Sequence, residues 1–319
     1  MGLLVKGEWR DQWYDTEGDE GEFVRQDSRF RKWITPDGAE SEFQAESQRY
    51  HLIVSLACPW AHRTLIFRKL KGLEAHIPVT IVQPEMLENG WEFSEEDRFL
   101  GLHYLYQLYQ KAQADYSGRV TVPVLWDTHT QTIVNNESAE IIRMFNSAFN
   151  ALTGDTQDFY PAALRADIDQ VNAEVYESIN NGVYKAGFAT RQNVYEKHAG
   201  RLFEALDALD QRLATQRYLC GSYLTEADWR LFTTLVRFDA VYFGHFKTNL
   251  RRIADYAHLS GYLRDLYQHP GVAETVDFEH IKTHYYYSHD TINPTRIVPL
   301  GPDLNLSAPH GREVLVAQG

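Results

Sequence analysis

Hydrophobic and polar positions divide the chain into four stretches with different periods. Residues 1–49 show no sustained period, residues 50–147 alternate between strand-like and helix-like patterns, and residues 160–276 are helical throughout. In residues 277–319 the period fades and four prolines occur. We therefore expect an N-terminal arm, an α/β domain, an all-helical domain and a C-terminal extension that is an ordered loop or a wrap-around segment.

The α/β domain is predicted from the order of its elements. Residues 50–56 and 76–82 are β-rich apolar runs that predict two buried strands. A helix that ends at Gly72 lies between them, so the two strands should be parallel. Residues 99–109 predict a second helix, and residues 120–127 and 132–134 predict a hairpin. A short helix should begin near Glu137 and Ser138.

Amphipathic faces predict the helices of the second domain. Four faces are formed by Ile168, Val171, Val175 and Ile179; by Leu202, Leu206, Leu209 and Leu213; by Trp229, Phe232, Leu235 and Val236; and by Ile253, Tyr256, Leu263 and Leu266. Residues 225–228 resemble a capping box, which should begin the third helix. The arm is rich in aromatic residues, which predicts that it wraps over a folded body.

Charge and cysteine content restrict the function. The chain has 31 Lys plus Arg against 44 Asp plus Glu, a net charge of -13. Such a surface repels phosphate backbones and anionic lipids, so neither nucleic acid nor a membrane is an expected partner. The first residues lack the apolar centre of a signal peptide. With only two cysteines, a cytoplasmic protein with reduced thiols is expected.

Cys58 is the strongest candidate for chemistry. It follows a predicted strand and precedes Pro59, a residue typical of the first helical turn. A cysteine at a helix N-terminus is stabilised as thiolate, the reactive form. Because Ala61 stands where a C-x-x-C motif has its second cysteine, an outside thiol must resolve any disulfide. Cys220 is expected to be a packing residue.

The order of these elements resembles the glutathione transferases. Cys58-Pro59-Trp60-Ala61-His62-Arg63, the segment 181–189 around Tyr184 and the aromatic residues 285–287 are similar to the Xi class, the glutathionyl-hydroquinone reductases. The resemblance covers about residues 5–300. It implies an N-terminal thioredoxin-like domain, an all-helical C-terminal domain, and a homodimer formed through the helical domains.

The resemblance also implies a set of glutathione contacts. The backbone of an edge segment would pair with the tripeptide, the bond before Pro123 would be cis, and the start of a helix would hold a carboxylate. Glu137 would bind the ammonium group, Arg119 a carboxylate, and Trp91 would cover the ligand. The full set of binding residues is Trp91, Arg119, Val120, Thr121, Val122, Pro123, Glu137 and Ser138.

The activity that the resemblance implies is reduction of glutathionyl-hydroquinones, with glutathione as co-substrate and no metal. Cys58 would attack the glutathione sulfur, and Tyr184, helped by Tyr242 and Tyr285, would supply a proton. Two alternatives stay open: an Omega-type thioltransferase or dehydroascorbate reductase, and a non-catalytic binding protein on the same fold. No zinc spacing, P-loop or G-x-G-x-x-G motif occurs.

Two groups of residues are expected to lie at the surface or near a helix cap. His280 and His284 are four residues apart and are expected to be surface histidines. Arg63, Arg68 and Lys69 of the first helix are expected to be solvated or to lie near a helix cap.

Overall fold

The structure, a computed structural model, describes residues 2–14, 20–39 and 41–315. Residues 15–19 of the predicted arm and 316–319 of the predicted extension therefore lie outside the described residues. The chain forms two compact units. The first unit contains residues 1–13, 26–157 and 275–290, and the second contains residues 14–25, 158–274 and 291–319. Each unit draws on three separate stretches of the chain.

The described residues contain nine strands and eleven α-helices. The strands β1 to β9 are Leu3–Val5, Glu8–Arg10, Ile34–Thr35, Phe43–Gln44, Tyr50–Val54, Val79–Ile81, Gly118–Arg119, Val124–Asp127 and Thr132–Asn135. The helices α1 to α11 are Pro59–Leu70, Leu105–Ala112, Ser138–Ser147, Asn150–Thr153, Arg165–Val175, Gly182–Gly187, Gln192–Arg212, Glu226–Arg237, Phe243–His245, Leu259–Tyr267 and Phe278–Ser288. Two π-helical segments, Tyr176–Asn180 and Phe238–Tyr242, continue α5 and α8.

A four-stranded sheet is the centre of the first unit, and its order is β6-β5-β8-β9. β5 and β6 are parallel, as the strand–helix–strand pattern predicts, and β8 is antiparallel to both β5 and β9. All four residues of β8 are buried, which matches a strand in the middle of the sheet. Pro123 directly precedes β8, at a position where its missing N–H removes no ladder bond.

The arm forms strands that the aperiodic sequence did not predict. β1 pairs antiparallel with β2 and with β7, so it extends the first unit with a second, three-stranded sheet. β3 and β4 form a short parallel pair. These strands have only two or three residues each, which is too short for a period to show in the sequence.

The second unit is helical, and its amphipathic faces are buried as expected. The capping box is confirmed, because the Thr225 N–H donates to Asp228 Oδ2 at 2.9 Å. The face predicted over residues 253–266 is wrong as one helix, since Ile253–Asp255 is a separate 3-10 turn and α10 begins at Leu259. None of the described helices is long and apolar enough to cross a membrane.

Two other expectations are corrected. The C-terminal extension is not a loop throughout, because α11 spans Phe278–Ser288 and begins at the N-cap Asp277. The helical period of α11 is not apparent in the sequence, because aromatic and polar residues occur on both of its faces. The helix predicted over 99–109 is confined to α2, with a separate 3-10 turn at Phe99–Gly101.

The buried His245 predicts a loss of stability in acid. Burial, assisted by Lys247, lowers its pKa to about 4, so the folded protein holds the ring neutral. The unfolded chain binds this proton near pH ~6.5. The neutral ring therefore stabilises the folded state above pH ~6.5. As the pH falls toward the folded-state pKa of about 4, the free energy of unfolding should decrease by on the order of 2 kcal/mol.

Urea unfolding at a series of pH values between 7 and 4 measures this loss. His245→Gln should make the free energy of unfolding depend less steeply on pH. The exposed His103 provides the control, since His103→Gln should leave the slope unchanged. Equal slopes for wild type and His245→Gln would contradict the prediction.

Candidate active site

Cys58 lies at the junction between the loop after β5 and the start of α1. It is the N-cap of α1, and its sulfur accepts a hydrogen bond from the Ala61 N–H at 3.5 Å. The thiol also lies 3.6 Å from the Val122 carbonyl oxygen, to which it donates. The side chain is partly exposed. The Ala61 N–H and the N-terminal end of the α1 dipole therefore stabilise negative charge on the sulfur.

The Val122–Pro123 peptide bond is cis, as the resemblance to glutathione transferases implies. Val120 and Val122 are buried, and Thr121 is half-buried. This segment joins β7 to β8, and through the Val122 carbonyl it lies next to Cys58. The thiol and a stretch of edge backbone are therefore adjacent in the first unit.

Glu137 and Ser138 begin α3. Glu137 is the N-cap, and its Oε1 accepts from the Ala139 N–H at 3.1 Å. Its other oxygen, Oε2, accepts from the Ser28 hydroxyl of the arm at 3.3 Å. Ser138 is buried at the first position of the helix. A carboxylate and a helix N-terminus thus lie side by side, so this turn presents groups for both a cation and an anion.

Arg63 lies near a helix cap, which is one of the two positions that the sequence predicts for it, since its side chain contacts the start of α3. Its side chain is 3% exposed rather than solvated. Nη1 donates to the Ser138 hydroxyl at 3.4 Å, and the guanidinium lies 4.7 Å from the centre of the Trp60 ring. A positive charge therefore adds to the N-terminal field of α3. No local signal marks this, because the contact joins residues 75 positions apart.

Arg119 is buried, and its guanidinium donates to the backbone of the arm. It hydrogen-bonds the Gln12 carbonyl oxygen and, at 2.9 Å, the Trp13 carbonyl oxygen. In this structure Arg119 therefore holds the arm against β7. Its predicted contact with a ligand carboxylate stays a prediction.

Trp91 and His284 stack on each other, with ring centres 4.7 Å apart and planes inclined by 21°. Both side chains are 5% exposed, so the expectation of a surface histidine is wrong for His284. Its Nδ1 lies 2.9 Å from the Pro84 carbonyl oxygen, which requires Nδ1 to carry a proton. α11 thus contacts the segment that carries Trp91.

α11 and the turn before it also contact the segment Ser55–His62, which contains Cys58. His280 Nε2 lies 3.3 Å from the Ser55 hydroxyl, and His62 Nε2 lies 2.7 Å from the Thr275 hydroxyl. Ser55 in turn accepts the Ala57 N–H at 3.2 Å. Both ends of the Ser55–His62 segment are therefore fixed by residues more than 200 positions away. Tyr285, 2% exposed, lies on the same helix in the first unit.

Tyr184 and Tyr242 lie together in the second unit. Their hydroxyl oxygens are 3.5 Å apart, and both rings are buried. Tyr242 ends one π-helical segment, and the other precedes α6, which carries Tyr184. Gly187 permits this packing, because a Cβ there would lie 2.2 Å from the Phe246 ring. The structure therefore pairs two of the three tyrosines predicted from the sequence.

Residues 20–25 of the arm pack on this pair within the second unit. The Arg25 guanidinium lies 4.9 Å from the centre of the Tyr184 ring, and its Nε donates to Asn181 Oδ1 at 3.1 Å. Glu22 lies 3.0 Å from His198 Nε2 and 3.5 Å from Lys197 Nζ. Burial opposes ionisation of Glu22, yet His198, Lys197 and Lys185 hold its pKa below the usual value.

Among residues 2–14, 20–39 and 41–315, no group of three or more His, Cys, Asp or Glu is arranged to hold a metal ion.

Comparison with known proteins identifies the family. A sequence model described as "Glutathione S-transferase, N-terminal domain" matches residues 57–148, and "Glutathione S-transferase, C-terminal domain" matches residues 192–265. The chain is 57% identical to "Glutathionyl-hydroquinone reductase YqjG" of Escherichia coli (strain K12), covering 98% of this chain and 99% of the relative. It is 52% identical to "Glutathionyl-hydroquinone reductase PcpF" of Sphingobium chlorophenolicum, covering 95% and 96%.

Solved structures agree. The glutathione-bound structure of YqjG has a TM-score of 0.89 at 54% identity, covering 98% of this chain and 99% of that one. The "Xi Class GST from Natrialba magadii" has a TM-score of 0.92 at 49% identity, covering 99% and 98%. Cys58 is the N-cap of the helix that follows β5, the second unit is helical, and the relatives match over nearly their full length. The chain therefore belongs to the Xi class of the glutathione transferases.

Proposed function

We propose that this protein reduces glutathionyl-hydroquinones to hydroquinones with glutathione as co-substrate. The observation that carries the proposal is that two relatives named for this activity are 57% and 52% identical to this chain over nearly their full length. The position of Cys58 supports it, because the N-terminus of α1 favours the thiolate, the form that attacks sulfur.

Glutathione binding is assigned to the groups around Cys58. The tripeptide backbone pairs with Val122, its ammonium group binds the Glu137 carboxylate, and one of its carboxylates lies at the start of α3. There the Ser138 hydroxyl binds the anion, and the N-terminal end of the α3 dipole and Arg63 add positive charge. Arg119 and Trp91 border the ligand. The glutathione-bound structure of YqjG supports this choice of ligand.

The chemical step breaks a carbon–sulfur bond and forms a disulfide. The Cys58 thiolate attacks the glutathione sulfur of the conjugate, and the electron pair of the broken bond stays on the ring carbon, which takes a proton. The ring is reduced to the hydroquinone, and Cys58 and glutathione are oxidised to a mixed disulfide. A second glutathione thiolate then attacks this disulfide and releases oxidised glutathione and the Cys58 thiolate. Because Ala61 provides no second thiol, an outside thiol must complete the cycle.

Tyr184 is assigned as the proton donor, with Tyr242 and Tyr285 assisting. A phenol can donate a proton in the transition state, and the Tyr242 hydroxyl at 3.5 Å orients that of Tyr184. Pairing of two chains as a homodimer and a reducing, cytoplasmic location complete the proposal, the latter supported by the two cysteines, neither of which is in a disulfide among the described residues.

Cys58 should react with alkylating reagents faster than Cys220, the second thiol of the chain. Burial raises the pKa of Cys220, whereas the N-terminus of α1 favours the Cys58 thiolate. At pH 7 we expect iodoacetamide to modify Cys58 at least about ten-fold faster, measured by peptide mass. The urea-unfolded protein is the control, in which both rates should converge. Equal rates in the folded protein would remove the activation argument.

Loss of the Glu137 charge should weaken glutathione binding. Glu137→Gln keeps an oxygen that can accept the Ala139 N–H, so the helix cap survives while the charge is lost. A charged hydrogen bond contributes about 1.5–3 kcal/mol, so the affinity should fall about ten-fold to a hundred-fold in calorimetric titration. Iodoacetamide should still modify Cys58 at the wild-type rate. An unchanged affinity would reduce Glu137 to a helix cap.

The function and the role of Tyr184 are tested by one pair of substrates. Protonation of a ring carbon is needed for a glutathionyl-hydroquinone and not for a small glutathione mixed disulfide. Tyr184→Phe removes only the hydroxyl, so it should slow the first reaction about 100-fold and leave the second near normal. Cys58→Ser should abolish both. Tyr195→Phe is the matched control, because that hydroxyl donates to the Lys247 carbonyl instead.

Each other outcome has a defined meaning. A wild type that reduces the mixed disulfide and not the conjugate would overturn the proposed activity in favour of a thioltransferase. Equal losses on both substrates in Tyr184→Phe would show that Tyr184 holds the pocket together. No loss on either would return it to a packed tyrosine.

A further inference from the structure

We propose that Tyr109 is a positioning residue for glutathione, because its buried hydroxyl holds the edge segment 120–123 and the turn before α3 at a fixed spacing. This inference rests on the proposed function, which assigns the edge backbone at Val122 and the Glu137 carboxylate to the same ligand. Tyr109 itself lies on α2, outside every motif that the sequence brought forward.

The Tyr109 hydroxyl uses its full hydrogen-bonding capacity. The ring is completely buried. The O–H donates to the Thr121 carbonyl oxygen at 2.8 Å and accepts from the Thr121 N–H at 3.3 Å. It also accepts from Asn136 Nδ2 at 3.1 Å. One donor and two acceptor positions are thus occupied, and burial raises the pKa of this phenol, so the donor proton stays in place.

On one side, Tyr109 takes the place of a neighbouring strand. Thr121 lies between β7 and β8 and gives both of its backbone groups to the phenol. Val122, the residue that contacts the Cys58 sulfur, follows directly. The position of the edge backbone is therefore set by a side chain from a helix.

On the other side, Asn136 links Tyr109 to the turn that carries Glu137. Its Oδ1 accepts the Phe30 N–H at 3.1 Å, and its own N–H donates to the Phe30 carbonyl at the same distance. The single Ser28 hydroxyl proton is shared between the Asn136 carbonyl oxygen, at 3.2 Å, and Glu137 Oε2, at 3.3 Å. Asn136, 4% exposed, is therefore fixed by the arm and by Tyr109, directly before the carboxylate assigned to the ammonium group.

The ring can be kept while the hydroxyl is removed. Tyr116 and Phe30 pack on Tyr109 with ring centres 5.2 Å and 5.8 Å away. Tyr109→Phe therefore preserves these contacts and removes the hydrogen bonds that the hydroxyl makes to Thr121 and Asn136. We expect the Kd and KM for glutathione to rise about ten-fold, since small displacements of binding groups are costly, while kcat stays within about two-fold. The rate of Cys58 alkylation should not change.

Tyr50→Phe is the matched control. Tyr50 is also completely buried in the first unit, and its hydroxyl donates to the Gln44 carbonyl at 2.6 Å. Both variants should lower the melting temperature, but only Tyr109→Phe should raise the glutathione KM. Combining Tyr109→Phe with Glu137→Gln should cost less affinity than the two separate losses together, because both act on one contact. Should Tyr109→Phe not fold, Asn136→Ala carries the same test from the other end.

Three results decide the question. A raised KM in Tyr109→Phe with a normal KM in Tyr50→Phe supports the positioning role. Equal glutathione affinities in Tyr109→Phe and wild type overturn it and leave the proposed function intact. A wild type that does not bind glutathione overturns both, and this measurement is made first.

Discussion

The free N–H groups at the start of α1 are the constraint on which the first unit depends. A helix start needs acceptors for these groups, and here the Cys58 sulfur accepts the Ala61 N–H. A neutral thiol is a weak acceptor and a thiolate is a much better one, so the need for a cap and the need for a nucleophile favour the same ionised state. Distant segments then hold this turn. Ser55 and His62 contact α11 and the turn before it, and the thiol contacts the Val122 carbonyl.

The elements that the sequence could predict are those whose signals are local. β5, α1 and the capping box at Thr225 each depend on neighbours within a few positions, and each is where the pattern indicates. The burial of Arg63 and of His284 is not predicted, because their partners, Ser138 and Trp91, are 75 and 193 positions away in the chain. No periodicity reports such contacts. The candidate site was therefore predicted through its motifs, while the residues that support it were not.

The tyrosine pair shows a second reason why a helical period fails. A π-helical segment contains one residue more than the α-helical spacing allows, so it turns the following side chains by about 100°. Such segments occur at 176–180 and 238–242, next to α6 and at Tyr242 itself. The 3.6-residue period is therefore interrupted shortly before Tyr184 and at Tyr242. A motif resemblance could find these residues, whereas an amphipathic pattern could not.

The division of the arm between the two units has a consequence for protein engineering. Residues 1–13 belong to the first unit, residues 14–25 to the second, and residues 26–157 to the first again. A fragment that begins at Tyr50 would leave β7 without its neighbour β1 and Glu137 without Ser28. A fragment of the helical residues alone would lack Phe23, which is 1% exposed against Phe188. The polypeptide is consequently a poor candidate for dissection into two separately expressed halves, although sequence models divide it that way.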